Sequence, residues 1–170
     1  GGAILAAAGG DPGTMAAVAA DPGAVAPLVA AFSVVIANVN SPKQCVLSGP
    51  TSAVDAAIEA LGKAGLTARK IPVACAFHSP VVASASEALG RRLAAIDVGV
   101  PRIPVFSNTT AEPYPSDPAG VRALLADQVA RPVRFAEEIE AMYAAGARVF
   151  VETGPGQVLT RLVAEILGDR

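Results

Sequence analysis

The chain contains no tryptophan, one histidine, two cysteines and two tyrosines in 170 residues. Two cysteines are too few for a disulfide framework. With one histidine available, Cys45 and Cys75 do not make a zinc set, so no metal is expected and a reducing cytoplasm is the expected compartment. Charge is sparse as well: 13 basic against 15 acidic residues leave a net charge of -2. That balance offers no electrostatic case for nucleic acid or for an anionic membrane surface. No apolar run approaches the roughly 20 residues that span a bilayer. The opening Gly1-Gly2-Ala3-Ile4 lacks the charged region of a signal peptide. Aromatics make up only 4% of the chain, so the 52% hydrophobic fraction, rich in alanine, must build its core from small and aliphatic side chains.

What is present is organised around the one histidine. Ile71-Pro72-Val73-Ala74-Cys75-Ala76-Phe77-His78-Ser79-Pro80 reads as a strand emptying into a helix, with Ser79 as N-cap and Pro80 as first helical residue. Apolar residues then recur at helical spacing through Val81, Val82, Ala85, Ala88, Leu89, Leu93 and Ile96. This puts His78 at a strand end beside a helix entrance, a position suited to a general base and equally open to a purely structural histidine.

Residues 1–8 read as the end of a helix, stopped by the turn cluster at Gly9 to Gly13. From residue 14 to 71 the expected order is strand, helix, strand, strand, helix, strand, a split βαβ pattern of the ferredoxin-like kind. The first helix takes Asp21-Pro22 as its start. The second begins at Thr51 or Ser52, with Ser52 and Asp55 spaced as a capping box. Asn40-Ser41-Pro42-Lys43 is the expected hairpin turn. Beyond the His78 helix the reading places a short strand over Ile103-Pro104-Val105-Phe106, a helix over 119–129 with Gln128 on its inward face, a helix from Phe135 ended by Gly146, a strand over Arg148–Thr153, and a last helix after Gly154-Pro155-Gly156. That glycine turn could offer N–H groups to an anion, but it lacks the third glycine of a dinucleotide fingerprint.

Several stretches together resemble the malonyl-CoA:acyl carrier protein transacylase family, and in particular the acyltransferase domains of type I polyketide synthases. They are Gly13-Thr14-Met15-Ala16-Ala17-Val18, Ala37-Asn38-Val39-Asn40-Ser41-Pro42 with Val46-Leu47-Ser48-Gly49, and Cys75-Ala76-Phe77-His78-Ser79-Pro80. Gln128-Val129 with Arg131-Pro132-Val133-Arg134-Phe135, and Val151-Glu152-Thr153-Gly154-Pro155-Gly156, complete the set, in family order along the whole chain.

The resemblance implies an α/β fold, with a ferredoxin-like small subdomain (residues 13–72) inserted in part of an α/β-hydrolase-like acyltransferase subdomain (residues 1–12 and 73–170). It implies a Ser-His ping-pong transfer of a malonyl-type unit from CoA to an acyl carrier protein, without cofactor or metal. His78 takes the place of the base, and Gln128 that of the residue whose main-chain carbonyl orients it. Asn38 and Asn40 match asparagines facing the cleft, or else pin the turn before Pro42. Phe77 stands where phenylalanine goes with malonyl rather than methylmalonyl units. Cys75 replaces the histidine usual three places before the base, and reads equally well as a small buried residue.

No Gly-X-Ser-X-Gly occurs in the chain, so the nucleophile, the oxyanion-hole donors and the arginine for the malonyl carboxylate are expected in an upstream segment of the same acyltransferase. Alone, the chain would then be inactive. The competing readings are a non-catalytic carrier-docking module and an acyl hydrolase.

Overall fold

A computed structural model describes residues 10–170; the helix end expected over residues 1–8, and Gly9 of the turn cluster, lie outside the described residues. The first unit is a four-stranded antiparallel sheet. Its strands are β1 (Thr14–Val18), β2 (Val35–Ser41), β3 (Gln44–Gly49) and β4 (Ala68–Ile71), in the spatial order β2-β3-β1-β4. Helix α1 (Pro22–Val29) links β1 to β2, and α2 (Thr51–Lys63) links β3 to β4.

The two-residue period of a strand sorts the side chains of this sheet. On β3, Cys45 and Leu47 point to the helix-covered face, where they pack with Val18, Val25, Val29, Ala57 and Leu61. Val46 belongs to the opposite cluster with Met15 and Ala37, against which Ile71, Val73 and Phe77 pack. Both faces are therefore covered, and the second is covered by the segment that carries His78. Leu47 and Leu61 are fully buried, so truncating either to alanine should cost about 2–5 kcal/mol.

The helix starts divide. Asp21 caps α1 as expected, its Oδ1 accepting from the N–H of Ala24 at 3.0 Å. The capping box of α2 does not form. That helix instead receives the Asp11 carboxylate, which accepts from the Thr51 N–H at 2.8 Å and from the Thr51 hydroxyl at 2.7 Å. These bonds hold the Asp11 carboxyl below its ordinary range, the Thr51 hydroxyl contributing most.

In the second half, β4 ends at Ile71 and residues 72–79 run irregularly, so the expected strand into His78 is replaced by a loop. Ser79 does act as a cap, on a 3₁₀ turn (Pro80–Val82) that leads into α3 (Ala83–Leu93). α3 lies against α4 (Pro118–Asp127), with Gly90 facing the Ala126 methyl. Helices α5 (Phe135–Ala144) and α6 (Val158–Leu167) share a cluster of Ala136, Ile139, Ile166 and Leu167.

The other two expected strands are corrected. Of the strand expected over 103–106 only Phe106 pairs, as part of β5 (Phe106–Ser107) against β6 (Glu112–Pro113), and residues 148–153 form no strand. Their β-branched residues are open to solvent, Ile103 at 73%, Val149 at 82% and Val151 at 77%. The physical reason is pairing: an extended run becomes a strand only when a neighbour takes its backbone bonds, and beside the short β5–β6 pair the described residues give these runs only one, from the Tyr114 N–H to the Val105 carbonyl at 2.8 Å.

Candidate active site

The loop that replaces the expected strand is tied down through the backbone of Ala76, Phe77 and His78. The Ala76 N–H donates to the Pro12 carbonyl (2.8 Å), the Ser79 hydroxyl to the Ala76 carbonyl (2.7 Å), and the buried Ser48 hydroxyl to the Phe77 carbonyl (2.7 Å). The His78 N–H donates to the Val129 carbonyl at 3.1 Å. Within this frame His78 has φ = +57°, a left-handed conformation uncommon outside glycine. Residues held in such regions cost about 1–3 kcal/mol and persist where the surroundings over-determine them, typically at functional sites.

The imidazole is held equally firmly. Nδ1 lies 3.0 Å from the Gln128 carbonyl oxygen and 3.0 Å from that of Arg131. Carbonyl oxygens only accept, so Nδ1 carries the proton, and in the neutral ring Nε2 is the acceptor. Nε2 is then the ring nitrogen able to accept a proton. Gln128 caps the C-terminus of α4, where main-chain carbonyls have no intrahelical partner and are free to receive such a donor.

The glutamine therefore meets the imidazole through its main chain. Its side chain is exposed, which corrects the inward placement expected from helical spacing. The helix had ended at Asp127, so the periodicity no longer applied. The second carbonyl, from Arg131, was not anticipated from the sequence; every residue has one, and no side-chain pattern marks it.

His78 is half-buried and borders an open cavity of about 360 Å³. Phe77 and His78 form one wall, Gln128, Val129 and Val133 a second, and Asn108 and Thr109 a third. Phe77 stands beside the histidine, the ring centroids 6.4 Å apart, while it packs on the sheet cluster.

The other expected residues lie further off. Asn38 is paired with Val133 across a parallel bridge, flanked by bonds from Val39 N–H to Val133 O (2.9 Å) and from Val133 N–H to Ala37 O (2.7 Å). It does not itself border the cavity, and its Oδ1 is buried without a hydrogen-bond partner among the described residues. The Asn40 amide donates to Gln44 Oε1 at 2.9 Å across the hairpin and does not border the His78 cavity. Cys75 is fully buried, its thiol pushed up by desolvation, and does not reach the cavity either.

Asn108 and Thr109 were missed. The sequence showed only a polar loop there, and its approach to His78 depends on contacts between distant segments.

The turn Gly154-Pro155-Gly156 presents α6 to a carboxylate of the same chain. Glu152 accepts from the Leu159 N–H (3.2 Å), the Thr160 N–H (2.9 Å) and the Thr160 hydroxyl (2.7 Å), which holds its carboxyl below the usual range. Among the described residues no group of three or more potential metal ligands is assembled, and no helix is long and apolar enough to cross a membrane.

Comparison with known proteins places this geometry in a family. The sequence profile of the family described as "Acyl transferase domain" matches residues 3–169. The malonyl CoA-acyl carrier protein transacylase of Bacillus subtilis is 38% identical over 135 residues, which cover 78% of this chain and 42% of that protein. A polyketide biosynthesis protein of Burkholderia thailandensis is also 38% identical, over 79% of this chain and 12% of that protein. Among solved structures, the malonyl CoA-acyl carrier protein transacylase of Clostridium perfringens superposes with a TM-score of 0.88 at 34% identity, over 98% of this chain and 54% of that one. The acyltransferase domain of the second module of the salinomycin polyketide synthase superposes with a TM-score of 0.82 at 35% identity, over 98% of this chain and 41% of that one. The chain spans about half, or less, of the proteins it matches. A mixed α/β chain related to both the malonyl-CoA:acyl carrier protein transacylases and the polyketide synthase acyltransferases, it belongs to the acyl transferase domain family.

Proposed function

We propose that this chain is the histidine-bearing part of an acyltransferase that moves a malonyl-type unit from CoA to an acyl carrier protein, the serine nucleophile coming from a segment outside these 170 residues. In the first half-reaction Nε2 of His78 takes the serine proton as Oγ attacks the thioester carbonyl. The proton then goes to the departing CoA thiolate. In the second half Nε2 takes the proton of the carrier thiol as its sulfur attacks the acyl-serine, and the proton returns to the serine oxygen. No metal or cofactor enters either step.

The observation that carries this reading is the pair of carbonyls, of Gln128 and Arg131, on Nδ1 of His78. They do for the imidazole what a carboxylate does in other triads: they fix the tautomer and the ring plane. The names of the relatives, transacylases acting with malonyl-CoA and acyl carrier protein, supply the substrate class.

In this reading residues 13–72, with their antiparallel β2-β3-β1-β4 order, are a ferredoxin-like small subdomain, and 73–170 are part of an α/β-hydrolase-like one. The exposed runs around Ile103 and Val151 pair with the upstream segment. Phe77 narrows the acyl site toward malonyl, and Asn38 supports it through its bridge to Val133.

The test is His78→Ala in the protein that includes the upstream segment. Serine acylation by malonyl-CoA should fall by about 10² to 10⁴, the loss typical of removing a general base, with carrier binding unchanged. Undiminished acylation would overturn the assignment, and a loss of carrier binding alone would favour a docking module.

A further inference from the structure

Asn108 and Thr109 border the His78 cavity, yet the transfer chemistry leaves them unused. Their loop is built to stay still. The Asn108 carbonyl accepts from the Arg134 N–H at 2.7 Å, and the Thr110 carbonyl accepts from the Arg134 guanidinium at 2.9 Å. Ser107 is buried; its hydroxyl accepts from the Thr109 N–H (3.2 Å) and its carbonyl from the Ala111 N–H (2.8 Å). Ala111 has φ = +58°, and it and His78 are the two non-glycine residues with positive φ among those described. Backbone strain is thus held on both sides of one cavity, on the wall with the base and in the loop that carries Asn108.

The chemistry of the lining narrows what can lie there. None of the seven bordering residues is an acid, a lysine or an arginine, so these residues give the malonyl carboxylate no fixed cation of their own, and what they themselves suit is the neutral part of the substrate. Phe77, Val129 and Val133 suit methylene groups. The Asn108 side chain is exposed, with no hydrogen-bond partner among the described residues, and carries one acceptor oxygen and an NH₂ donor. A neutral ligand with a short aliphatic stem and an amide fits all three features. Its volume also suits a cavity of about 360 Å³, which lies within the range of small-molecule sites.

We propose that the Asn108 carboxamide binds the first amide of the pantetheine-type thiol arm, two methylenes from the sulfur, in both half-reactions. This rests on the acyl-transfer reading above. The sulfur must come within hydrogen-bond reach of His78, about 3 Å from it. The arm's methylenes then lie along the apolar wall and its amide reaches the polar loop. CoA and carrier share this part of the arm, so one residue serves donor and acceptor alike.

The experiment uses the protein with its upstream segment and compares two malonyl thioesters, one on N-acetylcysteamine, which keeps that amide, and one on ethanethiol, which lacks it. Wild type should be acylated faster by the amide-bearing thioester. Asn108→Ala should lower kcat/KM for that thioester about tenfold, through KM, and leave the ethyl thioester unchanged. Because the comparison is a ratio within one preparation, a partly folded variant does not distort it. Asn108→Asp, which keeps the shape and loses the donor, is read in the same way and should also lose the preference. Equal losses on both thioesters, no loss on either, or a wild type without preference would overturn the proposal and leave the acyl-transfer reading standing. A wild type acylated by neither thioester nor by malonyl-CoA would overturn both.

Discussion

The Ser48 hydroxyl donates to the Phe77 carbonyl at 2.7 Å, which ties the third strand of the sheet to the residue preceding the histidine. Ser48 is fully buried and shares a sheet face with Val46, and the Phe77 ring packs on the same cluster. This contact links the sheet to the left-handed turn at His78, so the position of the imidazole depends on a strand 30 residues earlier in the chain.

Ser48→Ala is therefore expected to do more than remove one bond. It leaves the Phe77 carbonyl without its donor in a half-buried setting, at about 1 kcal/mol, and it releases the turn that holds His78. Denaturant unfolding should show the stability loss. Acylation by malonyl-CoA should show a lower kcat with little change in KM. Ser48→Thr, which keeps the hydroxyl, should restore most of the rate. A variant that loses stability at full kcat would assign Ser48 to the core alone.

Gly13→Ala tests the same frame from its other side. Gly13 has φ = +70°, and a Cβ there would stand 2.5 Å from the Gly49 carbonyl oxygen and 2.6 Å from the Ala76 Cβ. Both are backbone or next to it, so neither can swing away, and Ala76 is the residue whose N–H bonds to Pro12. Overpacking of this kind costs about 1–3 kcal/mol, to which the left-handed φ adds about 1 kcal/mol or more. The measurement is the shift of the unfolding midpoint, and a shift no larger than that of an exposed Gly→Ala change would show that the junction yields.

The pattern of legibility follows from what a sequence can encode locally. The sheet was readable because alternation along Cys45, Val46 and Leu47, and helical spacing at Val54, Ala57 and Leu61, are properties of short windows. The cap of α2 was not. Ser52 and Asp55 fit the local pattern, but Asp11, 40 residues away, reached Thr51 first. The runs at 103–106 and 148–153 have the composition of strands, yet strandedness depends on a neighbour that a window does not contain. At the candidate site, His78 stood out in the sequence as the one histidine, and Phe77 through the family resemblance. The Gln128 carbonyl was found only through family resemblance, because a main-chain acceptor carries no side-chain signature. Ser48 meets the Phe77 carbonyl, and Asn108 comes to border the His78 cavity, through folding alone.

Asp11 gives an acid-limb prediction. Its folded-state carboxyl lies below the ordinary value because its charged form accepts three hydrogen bonds, two from Thr51 and one from the Gly13 N–H at 2.9 Å. The unfolded chain binds the proton first as pH falls, so the stabilisation is present above the ordinary aspartate pKa of about 4 and is lost as pH drops below it toward the folded value. Asp11→Asn should be less stable than wild type at pH 7, and the gap should close in melts taken at progressively lower pH below about 4. A gap independent of pH would mean that the carboxylate charge contributes nothing and that only the shape of the side chain matters.

Glu138 should behave with the opposite sign. It lies on α5 at 5% exposure, and burial pushes its carboxyl above the ordinary glutamate value. The native state then holds a proton that the unfolded chain has released. Stability accordingly falls as pH rises from the ordinary value of about 4.3 through the raised one. Replacing the carboxyl by the neutral, isosteric amide in Glu138→Gln removes this liability. The variant should match wild type near pH 4 and exceed it at pH 7, with the difference growing across the interval between. Melting temperatures of the two proteins over that range decide the matter. A variant uniformly less stable at every pH would show that the native fold compensates the Glu138 charge through a partner that the amide cannot replace, and the upward displacement of its carboxyl would have to be abandoned.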